Sequence, residues 1–216
     1  MPPNNVPAID SILFDLDGTL WDVSILSTSA RNESMKRLGM EGHVTLEQIR
    51  QYIGLPADEI YTRLFPHWPV EKRITLRKAV TEEIARRLPK EGAAIYPGVV
   101  EGLRTLKQKF GLFIVSNCAQ GYIENFLAWS KLGPLFTDIE CYGNTEKSKG
   151  ENARLIIERN GLKAPVFVGD TDGDQRAALE AGIPYFHVDY GFGKPFAECT
   201  RCASFPELVR LLTGAP

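Results

Sequence analysis

The chain has few cysteines, no long apolar run and almost no net charge, and each shortage removes a class of protein. Four cysteines in 216 residues are too few for a disulfide-stapled scaffold, and a chain of this length buries enough surface to hold a core without staples. Cys118 and Cys141 lie in or beside apolar runs and read as small core residues. Cys199 and Cys202 form a C-x-x-C pair, but the second ligand pair of a zinc site is missing, with His187 the only histidine nearby. Reduced, incidental thiols of a cytoplasmic protein are the expectation. No apolar stretch approaches the ~18 residues that a membrane helix needs, and Met1–Ser11 lacks the basic and apolar regions of a signal peptide. The 25 basic and 27 acidic residues leave a net charge of −2, so nothing marks a nucleic-acid surface. His43 and His67 have no partner pattern and read as surface or packing residues.

What is present changes texture along the chain. A short apolar run, Ser11–Phe14, turns acidic and glycine-containing by residue 20. Residues 24–91 carry only helical signals. Thr45-x-x-Gln48 reads as a capping box, and Pro56 suits the first turn of a helix reaching about Phe65. Val70–Leu88 has near-helical apolar spacing, which Pro89 and Gly92 should stop. From residue 97 the rhythm is strand, loop, helix. Leu112–Val115, Asp138–Cys141, Val166–Val168 and Tyr185–Val188 are strand-like, with helical stretches at Val99–Phe110, Tyr122–Trp129, Asn152–Asn160 and Gln175–Ala181. That alternation predicts an α/β fold with a Rossmann-like parallel sheet. Ligands of such sheets bind beyond the carboxyl ends of the strands, so the chemistry should be read there.

Those ends carry Asp15 and Asp17, then Ser116 and Asn117, then Lys147 and Lys149, then Asp170, Asp172 and Asp174. Clustered carboxylates repel one another and favour a hard divalent cation, and all-oxygen ligands favour Mg²⁺. A carboxylate can attack phosphorus to give an aspartyl-phosphate. A cation and a lysine would screen the two anions from each other, and a second carboxyl could protonate the leaving oxygen.

The motifs themselves resemble a known family. Phe14-Asp-Leu-Asp-Gly-Thr-Leu20 is similar to the first motif, D-x-D-G-T, of the haloacid dehalogenase superfamily; Ser116 after an apolar strand is similar to the second; Gly169-Asp-Thr-Asp-Gly-Asp174 is similar to the fourth, G-D-x-x-x-D. The resemblance spans the whole chain and is of the phosphoglycolate-phosphatase-like kind. It implies a core of residues 1–23 and 92–216, with an inserted all-helical cap at 24–91. It further implies Asp15 as nucleophile, Asp17 as general acid/base lending its main-chain carbonyl to Mg²⁺, and Asp15 and Asp170 as metal ligands. Asp174 would hold a metal-bound water or orient the lysine, and Ser116 and Asn117 would bind the phosphoryl oxygens. The third-motif lysine is ambiguous. Lys147 fits a K-P-x-P frame counted back from Asn160-Gly161, whereas Lys149-Gly-Glu-Asn152 resembles a lysine that opens its helix, and Lys149 is preferred.

The expected activity is Mg²⁺-dependent hydrolysis of a small phosphomonoester by a monomer or weak homodimer, with neither nucleic acid nor membrane as partner. A sugar phosphomutase of the same fold and a catalytically silent binding protein are the alternatives. A true dehalogenase would lack the acid at Asp17, and a receiver-like signalling domain would lack the insertion. Asp172 reads as a turn residue. Gly18 and Thr19 should shape the turn after the acid pair, and Trp21 should line the pocket or pack beneath the hinge. Asn117 could instead cap the following helix. Arg50, Tyr52 and Gly54 precede Pro56 in a segment resembling a cap specificity loop.

Overall fold

A computed structural model describes residues 9–214. Six strands form one parallel sheet: β1 (Ser11–Phe14), β4 (Gly111–Ser116), β5 (Asp138–Cys141), β6 (Pro165–Gly169), β7 (Tyr185–Val188) and β8 (Thr200–Cys202). Their order is β5-β4-β1-β6-β7-β8, with every pairing parallel. The central strand, β1, is four fully buried residues, as a strand covered on both faces must be. Its side chains alternate between two cores. Ile12 and Phe14 join Leu112, Ile114, Val166 and Val168 on one face. Leu13 joins Phe113, Val115 and Phe167 on the other. The first face is covered by α5 (Val99–Lys107), α6 (Tyr122–Ser130) and α10 (Phe205–Thr213), and the second by α8 (Lys149–Asn160) and α9 (Asp172–Ala181).

From β1 the chain leaves through β2 (Trp21–Asp22) and returns through β3 (Ala94–Ile95), which pair antiparallel as Trp21↔Ile95 and Asp22↔Ala94. Between them lie four helices and no strand: α1 (Ser24–Arg37), α2 (Leu46–Arg50), α3 (Ala57–Leu64) and α4 (Val70–Glu91). The Thr45/Gln48 capping box forms at the head of α2. No helix of the described residues is long and apolar enough to cross a membrane.

Several boundaries differ from the sequence expectation. Pro89 does not end α4, which runs through it to Glu91. A proline this close to a helix end removes one hydrogen bond, and neighbouring Leu88 is fully buried against the core. Gly92 does the stopping, at φ 61° and ψ −156°, a region that only glycine occupies comfortably. Helices α8 and α9 each begin three residues earlier than their apolar spacing suggests, because Ser148/Glu151 and Thr171/Asp174 form capping boxes. Strand β8 was not foreseen; it is three residues long, too short for alternation to register. It takes in Cys202, which is buried, and all four cysteines are free thiols.

Gly92→Ala is expected to destabilise the protein by about 1–3 kcal/mol. The added β-carbon would meet the Trp129 indole as well as a forbidden backbone angle. A drop in the urea midpoint at unchanged slope checks it, and an unchanged midpoint refutes it.

Candidate active site

The strand order reverses around β1, with β4 on one side and β6 on the other. Asp15 follows β1, Ser116 ends β4 and Asp170 follows β6, so three adjacent strands deliver three polar side chains to one crevice. The first residue of α8 supplies the cation. Lys149 Nζ donates to Asp15 Oδ1 at 2.7 Å and to Asp174 Oδ1 at 2.6 Å, and all three side chains are buried. Lys147, the competing candidate, is exposed. The Ser148 cap separates the two, placing one in solvent and the other in the first inward-facing turn.

Asp174 orients the lysine. Its second oxygen, Oδ2, accepts from the Asp170 and Thr171 main-chain N–H groups at 3.1 and 2.9 Å and from Thr171 Oγ1 at 2.7 Å. The one acid thus closes the α9 cap and aims Lys149 at Asp15. Asp170 accepts from Thr19 Oγ1 at 3.2 Å and from the Phe192 N–H at 2.7 Å. Gly18, at φ 95°, lies so close that a β-carbon would strike the Asp170 carboxylate. Asp172 stays outside, exposed and 3.6 Å from Arg176.

Asp17 has a different setting. Its Oδ1 accepts from Trp21 Nε1 at 2.7 Å and from the Tyr122 hydroxyl at 2.9 Å. Trp21 does not line the cavity; it is fully buried, with its ring 4.7 Å from Phe126 and 5.9 Å from Tyr122. Its grip on Asp17 was not anticipated. An aromatic N–H four residues beyond an acid, across a glycine turn, was the available signal. Asn117 caps no helix: its side-chain amide donates to the Gly54 carbonyl at 2.8 Å, tying the β4 end to the segment before α3.

These environments set the charges. Burial, reinforced by Asp174, pushes the Asp15 carboxyl well above the usual carboxylate range, against the opposing pull of Lys149. Burial and then Asp174 push Asp170 up to about 7, although the Phe192 N–H and Lys149 hold it down. Burial lifts Asp17 to about 6, against its bonds from Tyr122 and Trp21. Burial disfavours the Lys149 charge, but Asp15 and Asp174 more than offset it, so the ammonium is held above its ordinary range.

The donor set fits a hard divalent cation. Carboxylate oxygens of Asp15, Asp170 and Asp174 lie within 4.8 Å of one another, and Asp15 Oδ2 is buried with no hydrogen-bond partner. Burial and then mutual repulsion raise Asp15 and Asp170, and such a cation would favour their ionised forms against both. The Asp17 carboxyl is not in this cluster.

Above Asp15 and Asp17 is a cavity of about 130 Å³. Ser116, Asn117 and Tyr122 line it from the sheet side, and Ile53, Leu55, Ile60, Val80 and Ile84 give the insertion's wall its apolar character.

Residues 12–188 match the family model described as haloacid dehalogenase-like hydrolase. The chain belongs to that family. It is 30% identical to the phosphoglycolate phosphatase of Pseudomonas syringae pv. tomato over 217 residues, covering 94% of this chain and 78% of that one. The phosphoglycolate phosphatase of Aliivibrio fischeri is 30% identical over 205 residues, covering 88% and 89%. In fold the chain is similar to a crystal structure described as a predicted phosphatase from Clostridium acetobutylicum, with a TM-score of 0.83, 21% identity and coverage of 95% and 99%. This haloacid dehalogenase-like hydrolase is therefore phosphoglycolate-phosphatase-like in sequence, and its Rossmann-like sheet is the family's fold.

Tyr122→Phe removes a donor that favours the ionised form of Asp17, so the Asp17 carboxyl should titrate at a higher pH than in the wild type. Following its carboxyl carbon by NMR checks this, and an unmoved titration denies Tyr122 that influence.

Proposed function

We propose that this hydrolase is a phosphomonoesterase that works through an aspartyl-phosphate on Asp15. The observation that carries the reading is the state of Asp15: one oxygen is held by Lys149 and the other is buried without a partner, at a carboxylate that lines the cavity. A structural carboxylate would have both oxygens satisfied.

In this reading Asp15 attacks phosphorus and the ester oxygen leaves. Asp17, held protonated more readily than an ordinary acid by its burial, gives that oxygen its proton. It then takes a proton from water, which attacks the aspartyl-phosphate at phosphorus and frees Asp15 and inorganic phosphate. Lys149 screens the two anions from each other as they approach, aimed by Asp174. The Ser116 hydroxyl and the Asn117 main-chain N–H hold the phosphoryl oxygens, since the Asn117 side chain is tied to Gly54. Asp15, Asp170 and the Asp17 main-chain carbonyl would hold Mg²⁺. When bound, the ion neutralises the phosphoryl group and the carboxylates around it.

Residues 24–91 act as a cap over a core of residues 1–23 and 92–216. The cavity has walls from both parts, which suits chemistry that must exclude water and then admit it. Its volume favours a small phosphomonoester over a polymer. Relatives named as phosphatases favour hydrolysis over phosphoryl transfer to a second sugar.

Release of phosphate from p-nitrophenyl phosphate tests the reading. Asp15→Asn should abolish it, since an amide is a far poorer nucleophile. Lys149→Met should cost about 10²–10³-fold in kcat, and Lys147→Ala less than about twofold, as is usual for an exposed side chain. The reverse order would return the role to Lys147. Chelation by EDTA should abolish turnover and Mg²⁺ restore it, whereas Ca²⁺, with its looser coordination, should support it poorly. Full activity with chelator present would remove the metal from the reading.

A further inference from the structure

One cation in the cavity has no role in this chemistry. Arg31, on α1, is 6% exposed and lines the cavity that also holds Asp15, Asp17 and Ser116. Its Nη1 donates to the Ser27 carbonyl at 3.0 Å and to the Ser27 hydroxyl, both one turn back on its own helix. Its Nε is buried with no partner. Its guanidinium carbon is 5.5 Å from the Tyr61 ring centroid. Among the described residues no carboxylate lies within ion-pair distance of it, whereas Arg77, the other arginine on the cavity wall, pairs with Asp58 at 2.9 Å and is partly exposed.

A buried guanidinium without a counter-charge is costly. Its Nη1 hydrogen bonds stay within α1 and its face rests on the Tyr61 ring of α3, but neither contact supplies a counter-charge or a partner for Nε. The planar fork matches an oxyanion and binds best where water is excluded. The same cavity is lined by Asp15 and Ser116, where the proposed chemistry places the transferred phosphoryl group. A ligand that meets both Arg31 and that phosphoryl position within about 130 Å³ is a small molecule with two anionic groups.

We propose that Arg31 receives a second, non-transferred oxyanion of the substrate, a carboxylate or a second phosphate, and so sets specificity for dianionic-ended small phosphomonoesters. This rests on the phosphatase reading above. An anionic second group, on a phosphorylated hydroxy acid or a bisphosphate of similar length, is what supplies the counter-charge that Arg31 lacks.

The test compares kcat/KM for four substrates: a phosphorylated two- or three-carbon hydroxy acid, a three-carbon bisphosphate, glycerol phosphate and p-nitrophenyl phosphate. The wild type should prefer one of the first two over glycerol phosphate by about 10²-fold. Preference for the hydroxy acid assigns the carboxylate, and preference for the bisphosphate assigns the phosphate. Arg31→Met should collapse that ratio to within a few-fold, and Arg31→Lys should keep part of it. In the Asp15→Asn background, Arg31→Met should weaken binding of the preferred substrate by a similar factor, measured by calorimetry. A wild type that turns over glycerol phosphate as well as the anionic substrates overturns the proposal, whether or not the variants fold. So does an equal loss on all four substrates in a folded Arg31→Met. A wild type that releases no phosphate from any of them overturns the phosphatase reading itself.

Discussion

Three carboxylates of this fold come together out of water, and Lys149 makes that arrangement tolerable. Its ammonium bridges Asp15 and Asp174 at 2.7 and 2.6 Å, and without it the cluster would relieve its repulsion by taking up protons. Burial works against the lysine as it works against Asp15 and Asp170, and Asp15 and Asp174 more than offset it for the ammonium. The bridge also has a direction. Asp174 is clamped by two main-chain N–H groups and a hydroxyl, so the lysine is aimed by α9 and spends its charge on Asp15.

The backbone supplies the convergence. Adjacent parallel strands end at one level, and each successor residue emerges at the same edge. The caps of α8 and α9 then serve twice. Ser148 starts the helix whose first residue is Lys149, and Thr171 starts the helix whose third residue is Asp174. Secondary-structure termination and site assembly are therefore one event. A loss of either cap would misplace a functional side chain as well as fray a helix.

The insertion adds the second half of the site. Its wall is mostly apolar, with Arg31 buried in it and Asn117 tied across to Gly54. In the proposed function the sheet edge handles the phosphoryl group, and the insertion faces whatever that group is attached to. On that proposal, chemistry and selectivity are carried by separate stretches of chain, joined by the β2–β3 ribbon.

The sequence alone determined the α/β class, the helical stretch at 24–91 and the acids at the strand ends, because these depend on local patterns: alternation, helical spacing and short motifs around Asp15, Ser116 and Asp170. It preferred Lys149 to Lys147 without deciding between them, since a shift of two residues alters no composition and only a helix start in space turns one inward. It missed the Trp21 and Tyr122 grip on Asp17, which joins residues 105 positions apart, and it passed over Arg31, one arginine among many in a helix. A buried charge without a partner is a property of what surrounds it. Only the packing of α1 and α3 over the sheet edge removed water from that guanidinium and brought it to the same cavity as Asp15.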